Sequence, residues 1–181
     1  MTISKVLYSS KQEDYQTPKW LYDKLNEEFH FDLDPCTSPD NPLGTKYFMT
    51  KQIDGLAASW HFAKSVYINP PYHSTKNIIK WVSKASSSVQ LNPNQIIVML
   101  LPSRTDVNWF HDYVYHKPNV ETIFLKGRLL FENTPYPAPF PSMVVILASL
   151  SFHSVKIQQC KSALTLSNTI SPAANPSLSK P

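Results

Sequence analysis

Residues 95–102, QIIVMLLP, set the tightest limit on what this chain can fold into. After Gln95 the run is apolar without interruption, the pattern of a strand buried on both faces. Such a strand needs cover above and below. Upstream, SVYIN (65–69) reads as a second strand, and residues 75–88 as an amphipathic helix. That helix carries Ile78, Ile79, Val82 and Ala85 on one face and Lys76, Lys80 and Lys84 on another. Nearer the start, Thr17 reads as an N-cap with Pro18 at the first helical position, and Leu21, Leu25 and Phe29 form one stripe of a helix over 18–29. FHFDLDP then gives a short strand ending in acid at Asp34. Residues 35–60 are rich in turn formers, with one brief strand at 47–49 and a helical turn near Leu56. Downstream, Asp106 is placed to cap a helix carrying Val107, Phe110 and Val114. VETIFL and SMVVILAS are two further strands, separated by the proline-rich loop 132–141. There is no internal repeat.

Alternation of this kind predicts an α/β fold: one largely parallel sheet with helices on its faces. Sheets of that type bind ligands beyond the carboxyl ends of their strands. Asp34, Asn69 and Arg104 each fall at or just past such an end, which is a physical reason to expect them near one another. At 181 residues and 42% apolar content, the chain suits a single globular domain. The reading is a flexible arm over 1–13, the domain over 14–160, and a disordered tail over 161–181, where Ser, Pro and Asn take over. No apolar run approaches the roughly 18 residues of a membrane span, and the N-terminal residues lack a secretory core. Cys36 and Cys160 are the only cysteines, a pattern that fits neither a disulfide scaffold nor a metal site and suits a reducing cytoplasm. The net charge of +4 permits a polyanionic partner without requiring one. Of 17 basic residues only Arg104 and Arg128 are arginine, and both follow apolar runs where loops leave the sheet.

The strand at 65–69 stops at Asn69-Pro70-Pro71-Tyr72. Asn-Pro also occurs at 41–42, 92–93 and 175–176, so the chain supplies its own control. None of those pairs follows a strand and precedes an aromatic, and chance gives roughly 0.04 copies of Asn-Pro-Pro-aromatic in a chain of this composition. A rigid turn is the plain use of such a segment. The chemical use begins with an amine on an aromatic ring, or an amide nitrogen, whose lone pair is delocalised and poorly nucleophilic. Two acceptors on its N–H groups favour a pyramidal nitrogen and aim the lone pair outward. Asn69 Oδ1 is one acceptor and the Pro70 carbonyl the other, while Pro71 holds Pro70 extended. The ring of Tyr72 offers a face for a planar base drawn out of a duplex. The matching electrophile is the sulfonium methyl of S-adenosylmethionine, approached in line.

Seven segments, DYQTPKWLYDKL (14–25), FDLDPCTSP (31–39), YFMTKQIDGLAASW (47–60), YINPPY (67–72), LLPSRTDVNWFH (100–111), GRLLF (127–131) and APFPSMVVIL (138–147), together resemble the phage-type, Dam-like DNA N6-adenine methyltransferases. The resemblance covers about residues 14–150. It implies a Rossmann-like, S-adenosylmethionine-dependent methyltransferase fold, with double-stranded DNA and its flipped adenine as substrate, acting in the cytoplasm of a bacterial host cell. It gives catalysis to Asn69, Pro70, Pro71 and Tyr72. It gives cofactor binding to Thr17, Pro18, Asp34, Pro35 and Asp54. Asp34 would take the cofactor's ammonium or ribose hydroxyls, with Asp32 as its rival. Lys76, Lys80, Arg104, Lys126 and Arg128 would meet DNA, and no metal is implied. A structural pair is the plain reading of Arg104 with Asp106, a turn carboxylate that of Asp54, and an incidental surface residue that of His73. Two departures stand out. Asp-Pro-Cys-Thr-Ser-Pro replaces the glycine-rich turn of most enzymes using this cofactor, and no separate target-recognition domain is present, which leaves DNA contacts to loops 40–55 and 126–141. The competing acceptors are adenine in RNA or glutamine in a protein. The competing role is that of a non-catalytic phage accessory protein binding nucleic acid.

Overall fold

A computed structural model describes residues 15–149 and Ser162. The arm at 1–13 and nearly all of the tail at 161–181 lie outside the described residues. Over residues 15–149 nine elements follow one another: α1 (Lys19–Phe29), β1 (Leu33–Asp34), β2 (Tyr47–Phe48), β3 (Ser65–Ile68), α2 (Thr75–Leu91), β4 (Ile96–Pro102), α3 (Asn108–Tyr113), β5 (Val120–Phe124) and β6 (Ser142–Ala148). The strands form one six-stranded sheet in the order β2-β1-β3-β4-β6-β5.

The expected two-face burial holds for every residue of β4, and equally for β3 and β6. Strands β1 to β4 pair in parallel, through Leu33↔Tyr47, Leu33↔Val66 and Val66↔Ile97 among others. The sheet is mixed, however. β6 runs antiparallel to both its neighbours, β4 and β5. The loop between β5 and β6 contains no helix, so the chain returns as a wide hairpin, and only a crossover would have kept it parallel.

Helix α1 buries Leu21, Tyr22, Leu25 and Phe29 as its stripe requires. Its start corrects the sequence reading: Pro18 is the N-cap, and the cap residue makes no side-chain hydrogen bond to the helix. Thr17 is buried and its hydroxyl is used elsewhere. Instead, Glu132 Oε1 accepts the Lys19 N–H at 2.7 Å, so the loop before β6 closes the end of α1. The second helix runs to Leu91 and turns Ile78, Trp81, Val82, Ala85 and Val89 inward, with Ser74 Oγ accepting from Asn77 N–H. Helix α3 is also shorter than the sequence suggests. Val107 stands at its N-cap, and Asp106 makes no cap.

β1 leads outward to β2, whereas its parallel neighbour β3 leads through α2 to β4 on the other side. The strand order therefore reverses between β1 and β3, and their carboxyl ends bound a crevice. Residues 54–58 form one wall of it and come so close to Pro35 that a Cβ on Gly55 would lie 1.9 Å from the Pro35 carbonyl oxygen. Trp60 Nε1 donates to the Gly55 carbonyl at 2.9 Å, and Lys84 Nζ donates to the Leu56 and Ala58 carbonyls. Backbone on both sides fixes that contact. The variant Gly55→Ala is expected to lose at least about 2 kcal/mol of stability; a thermal or urea melt unchanged from wild type would show that the wall is not held there.

Candidate active site

The crevice opens as a cleft of about 830 Å³, within the range of small-molecule and cofactor sites. Thr17, Asp34, Pro35, Asp54, Asn69, Pro70 and Pro71 all line it. Four segments far apart in sequence thus converge as expected. Pro18 and Tyr72 are not on its surface, and neither are Lys76, Lys80, Arg104, Lys126 or Arg128.

Asn69 follows β3 directly, and its carboxamide orientation is fixed by its partners. Nδ2 donates to the Tyr15 carbonyl at 2.6 Å and to Thr17 Oγ1 at 2.9 Å. A carbonyl only accepts, so the NH2 end must face Tyr15 and the oxygen must face the other way. Tyr72 O–H lies 2.6 Å from that oxygen, Oδ1, and 2.8 Å from the Leu100 carbonyl. The phenol has one proton for two acceptors. Oδ1 keeps a second lone pair, and among the described residues no donor is bonded to the Pro70 carbonyl. The Pro71 carbonyl is held by Asn77 Nδ2 at 2.8 Å, which ties the turn to the first turn of α2.

Tyr72 is buried, and burial raises its phenol well above the ordinary tyrosine range. Its ring stacks on Tyr15 at 5.8 Å and meets Phe140 and Phe131 edge-on at 5.6 and 6.3 Å. A face of Tyr72 is therefore already covered by an aromatic ring.

Asp34, at the tip of β1, is 3% exposed. Removal from water pushes its carboxyl up to about 7, against partial relief from the Cys36 N–H, which donates to Oδ1 at 3.0 Å. No cationic side chain among the described residues pairs with it. The rival, Asp32, is occupied structurally: its Oδ2 accepts the Lys64 and Ser65 N–H groups at 2.9 and 3.2 Å. Asp54 accepts the Leu56 N–H at 2.9 Å, the turn role weighed for it, and it also lines the cleft.

The basic residues stand apart. Lys76, Lys80, Lys126 and Arg128 are exposed, and Arg128 donates to the Pro139 carbonyl at 3.2 Å. Arg104 lies 3.5 Å from Thr75 Oγ1, at the start of α2, and forms no ion pair with Asp106.

Sequence reasoning missed five residues that shape the site: Tyr15, Cys36, Gly55, Tyr67 and Trp81. For Tyr67 a signal existed, because strand alternation puts residues 67 and 69 on one face. Trp81 belonged to the α2 stripe and could have been counted there; it lines the cleft and stacks on Trp60 at 6.0 Å. Cys36 Sγ donates to the Asn69 carbonyl at 3.3 Å, a contact between residues 33 positions apart that no local pattern encodes.

The arrangement offers a buried carboxyl group, a cleft of cofactor size and a pair of acceptors among its lining residues. Comparison with known proteins agrees. A relative from Escherichia phage T1, named DNA N-6-adenine-methyltransferase, is 28% identical over 97 residues, which is 53% of this chain and 38% of that protein. The chain thus aligns with well under half of that relative's length. The family model described as DNA N-6-adenine-methyltransferase (Dam) matches residues 4–163, most of the chain, and by that match the chain belongs to this family.

Proposed function

We propose that the protein transfers a methyl group from S-adenosylmethionine to the exocyclic N6 amine of adenine in double-stranded DNA, on a Rossmann-like methyltransferase fold. One observation carries this reading. The Asn69-Pro70-Pro71 turn and the buried carboxylate of Asp34 open on the same cleft, at the point where the strand order reverses.

The residues present fit the cofactor. Asp34 is a buried carboxyl group supported by Cys36 through its N–H and its thiol, with no cation paired to it among the described residues. It suits an ammonium or a pair of ribose hydroxyls, which would restore the stabilisation that burial removed. Asp54, Thr17 and Pro35 line the same cleft and are the further residues offered to the cofactor. Pro18 contributes as the residue that starts α1 behind Thr17. When bound, the cofactor supplies an electrophilic methyl group.

The chain's own residues act on the acceptor. Asn69 Oδ1 takes one N–H of the adenine amine on its remaining lone pair, and the Pro70 carbonyl takes the other. The nitrogen becomes pyramidal and its lone pair is directed along one line. No strong base is needed, because the amine proton becomes acidic once the nitrogen carries a fourth substituent. Positioning and fixed dipoles then supply most of the rate. Tyr72 gives the base an aromatic face once Tyr15 yields that place. Lys76, Lys80, Arg104, Lys126 and Arg128 contact DNA phosphates around the rim, which makes binding salt-dependent.

Two outcomes test the reading. With isotope-labelled cofactor and DNA, RNA or protein as acceptor, label is expected in DNA. The variant Asn69→Ala is expected to lose at least about a hundredfold in transfer rate, while S-adenosylhomocysteine still raises its melting temperature. Label found solely in RNA or protein would overturn the proposal, as would an Asn69→Ala enzyme of undiminished rate.

The second outcome concerns pH. Burial holds the folded Asp34 carboxyl near 7 against an ordinary 3.8, so the folded state keeps a proton that the unfolded state has lost between those values. This group's contribution to stability therefore falls as pH rises from about 4 to 7. The isosteric variant Asp34→Asn is expected to be more stable than wild type at pH 8, by on the order of 1–3 kcal/mol, with the gap closing toward pH 4. Because the ionised carboxylate takes the cofactor, wild-type affinity is expected to weaken up to about tenfold per unit below pH 7, and Asp34→Asn to lose that slope. Calorimetric titrations from pH 6 to 8 that show equal slopes would remove Asp34 from this role.

A further inference from the structure

The hydroxyl of Thr17 is buried between two groups. It lies 2.8 Å from Tyr67 O–H and 2.9 Å from the Asn69 amide nitrogen that donates to it. Thr17 was expected to cap α1 or to pack on the cofactor; Glu132 closes the start of the helix instead, and the Thr17 hydroxyl is turned to Asn69. Tyr67 rises from β3, fully enclosed, with Phe31 and Tyr22 against its ring at 5.2 Å each. Its phenol cannot swing away, so it fixes where the Thr17 hydroxyl sits. The Thr17–Tyr67 bond can run in either direction, and both leave Thr17 a lone pair for Asn69.

We infer that Thr17, backed by Tyr67, is a positioning residue that holds the Asn69 carboxamide in its reactive orientation. The inference deepens the function proposed above and rests on it. The amide has two N–H groups and both are used, one by Tyr15 and one by Thr17. Two anchors fix a plane where one would leave a swivel. With both in place, Oδ1 has a defined direction and its spare lone pair points to one spot. Without Thr17 the amide is held only by the Tyr15 carbonyl and the Tyr72 hydroxyl and can turn about the line joining them, so the spare lone pair of Oδ1 swings relative to the Pro70 carbonyl and the two acceptors no longer match one NH2 group. A displacement of about 1 Å can cost on the order of a hundredfold in rate. The loss should fall on kcat, since the cofactor does not require that amide plane.

The test compares Thr17→Val, which keeps shape and removes the hydroxyl, with Thr17→Ser, which keeps the hydroxyl, and with Tyr67→Phe. Thr17→Val is expected to lower kcat on DNA by about 10- to 100-fold, with the Kd for S-adenosylhomocysteine changed by less than about threefold. Thr17→Ser is expected to recover kcat to within about threefold of wild type, and Tyr67→Phe to lose about 3- to 10-fold. An unchanged kcat in Thr17→Val overturns the inference, as does a loss confined to cofactor affinity or a Thr17→Ser variant as slow as Thr17→Val. A second readout needs no activity. The side-chain NH2 signals of Asn69, assigned by their absence in Asn69→Asp, are expected to exchange slowly with solvent in wild type and Thr17→Ser. In Thr17→Val they should exchange at least about tenfold faster; equal exchange in all three overturns the inference. A wild-type protein that methylates no DNA would sink the function proposed above, and the exchange measurement would still decide whether Thr17 anchors the amide.

Discussion

A sheet enclosed on both faces leaves polar side chains one place to go: the ends of its strands. Strands β3, β4 and β6 are buried at every position. Of the buried polar residues described, Thr17 and Thr45 lie in loops, while Asp34, Ser65, Gln95 and Ser142 stand at or next to a strand terminus. Burying an unpaired amide or hydroxyl costs on the order of 1–3 kcal/mol; at the strand ends Asp34 and Gln95 find backbone partners, whereas the Ser65 and Ser142 hydroxyls are buried without one among the described residues. Tyr67 is the exception that shows the rule, a mid-strand residue whose long ring carries its hydroxyl out to Thr17. The chemistry of the protein gathers at the strand tips because the core excludes it from elsewhere.

At those tips the hydrogen bonds link segments distant in sequence. The 15–17 segment is joined to Asn69 by two bonds, and Asn69 is joined to Tyr72 and, through its carbonyl, to Cys36. Cys36 N–H in turn supports the Asp34 carboxylate. The backbone carbonyl of Asn69 and the carboxylate of Asp34 are thus tied through a single cysteine. The wall opposite depends on a different kind of contact, the absence of a side chain at Gly55, which lets the 54–58 turn lie against Pro35. With that backbone approach the cleft has two firm sides, although the loop after β1 lacks a glycine-rich turn.

Much of this was legible in the sequence, for identifiable reasons. Strands β3, β4 and β6 are continuous apolar runs, and α2 has an unambiguous stripe. Asp34 and Asn69 end their strands, so topology alone brings them together. Local signals failed where a distant partner competed. Thr17 followed by proline looks like a helix cap, but its hydroxyl is taken by residues 50 and 52 positions away. Asp106 resembles a cap by the same local logic, yet α3 begins after Val107 without it. Arg104 leaves β4 at the expected end and still stands outside the cleft, beside α2, because strand topology places backbones and not the reach of a long side chain. The antiparallel course of β6 was recoverable from the missing helix between it and β5.

The ring of Tyr15 against Tyr72 has a further consequence. Under the function proposed, a nucleobase settling on Tyr72 would not fill a void; it would displace the Tyr15 ring. Aromatic contacts are worth about 0.5–1.5 kcal/mol each, and one exchanged for another nets close to nothing. Stacking would therefore admit any base with little preference, and selection among them would rest on whether the newcomer presents an amine to the rim. Discrimination would be written in hydrogen bonds, with the aromatic cluster serving as a neutral turnstile.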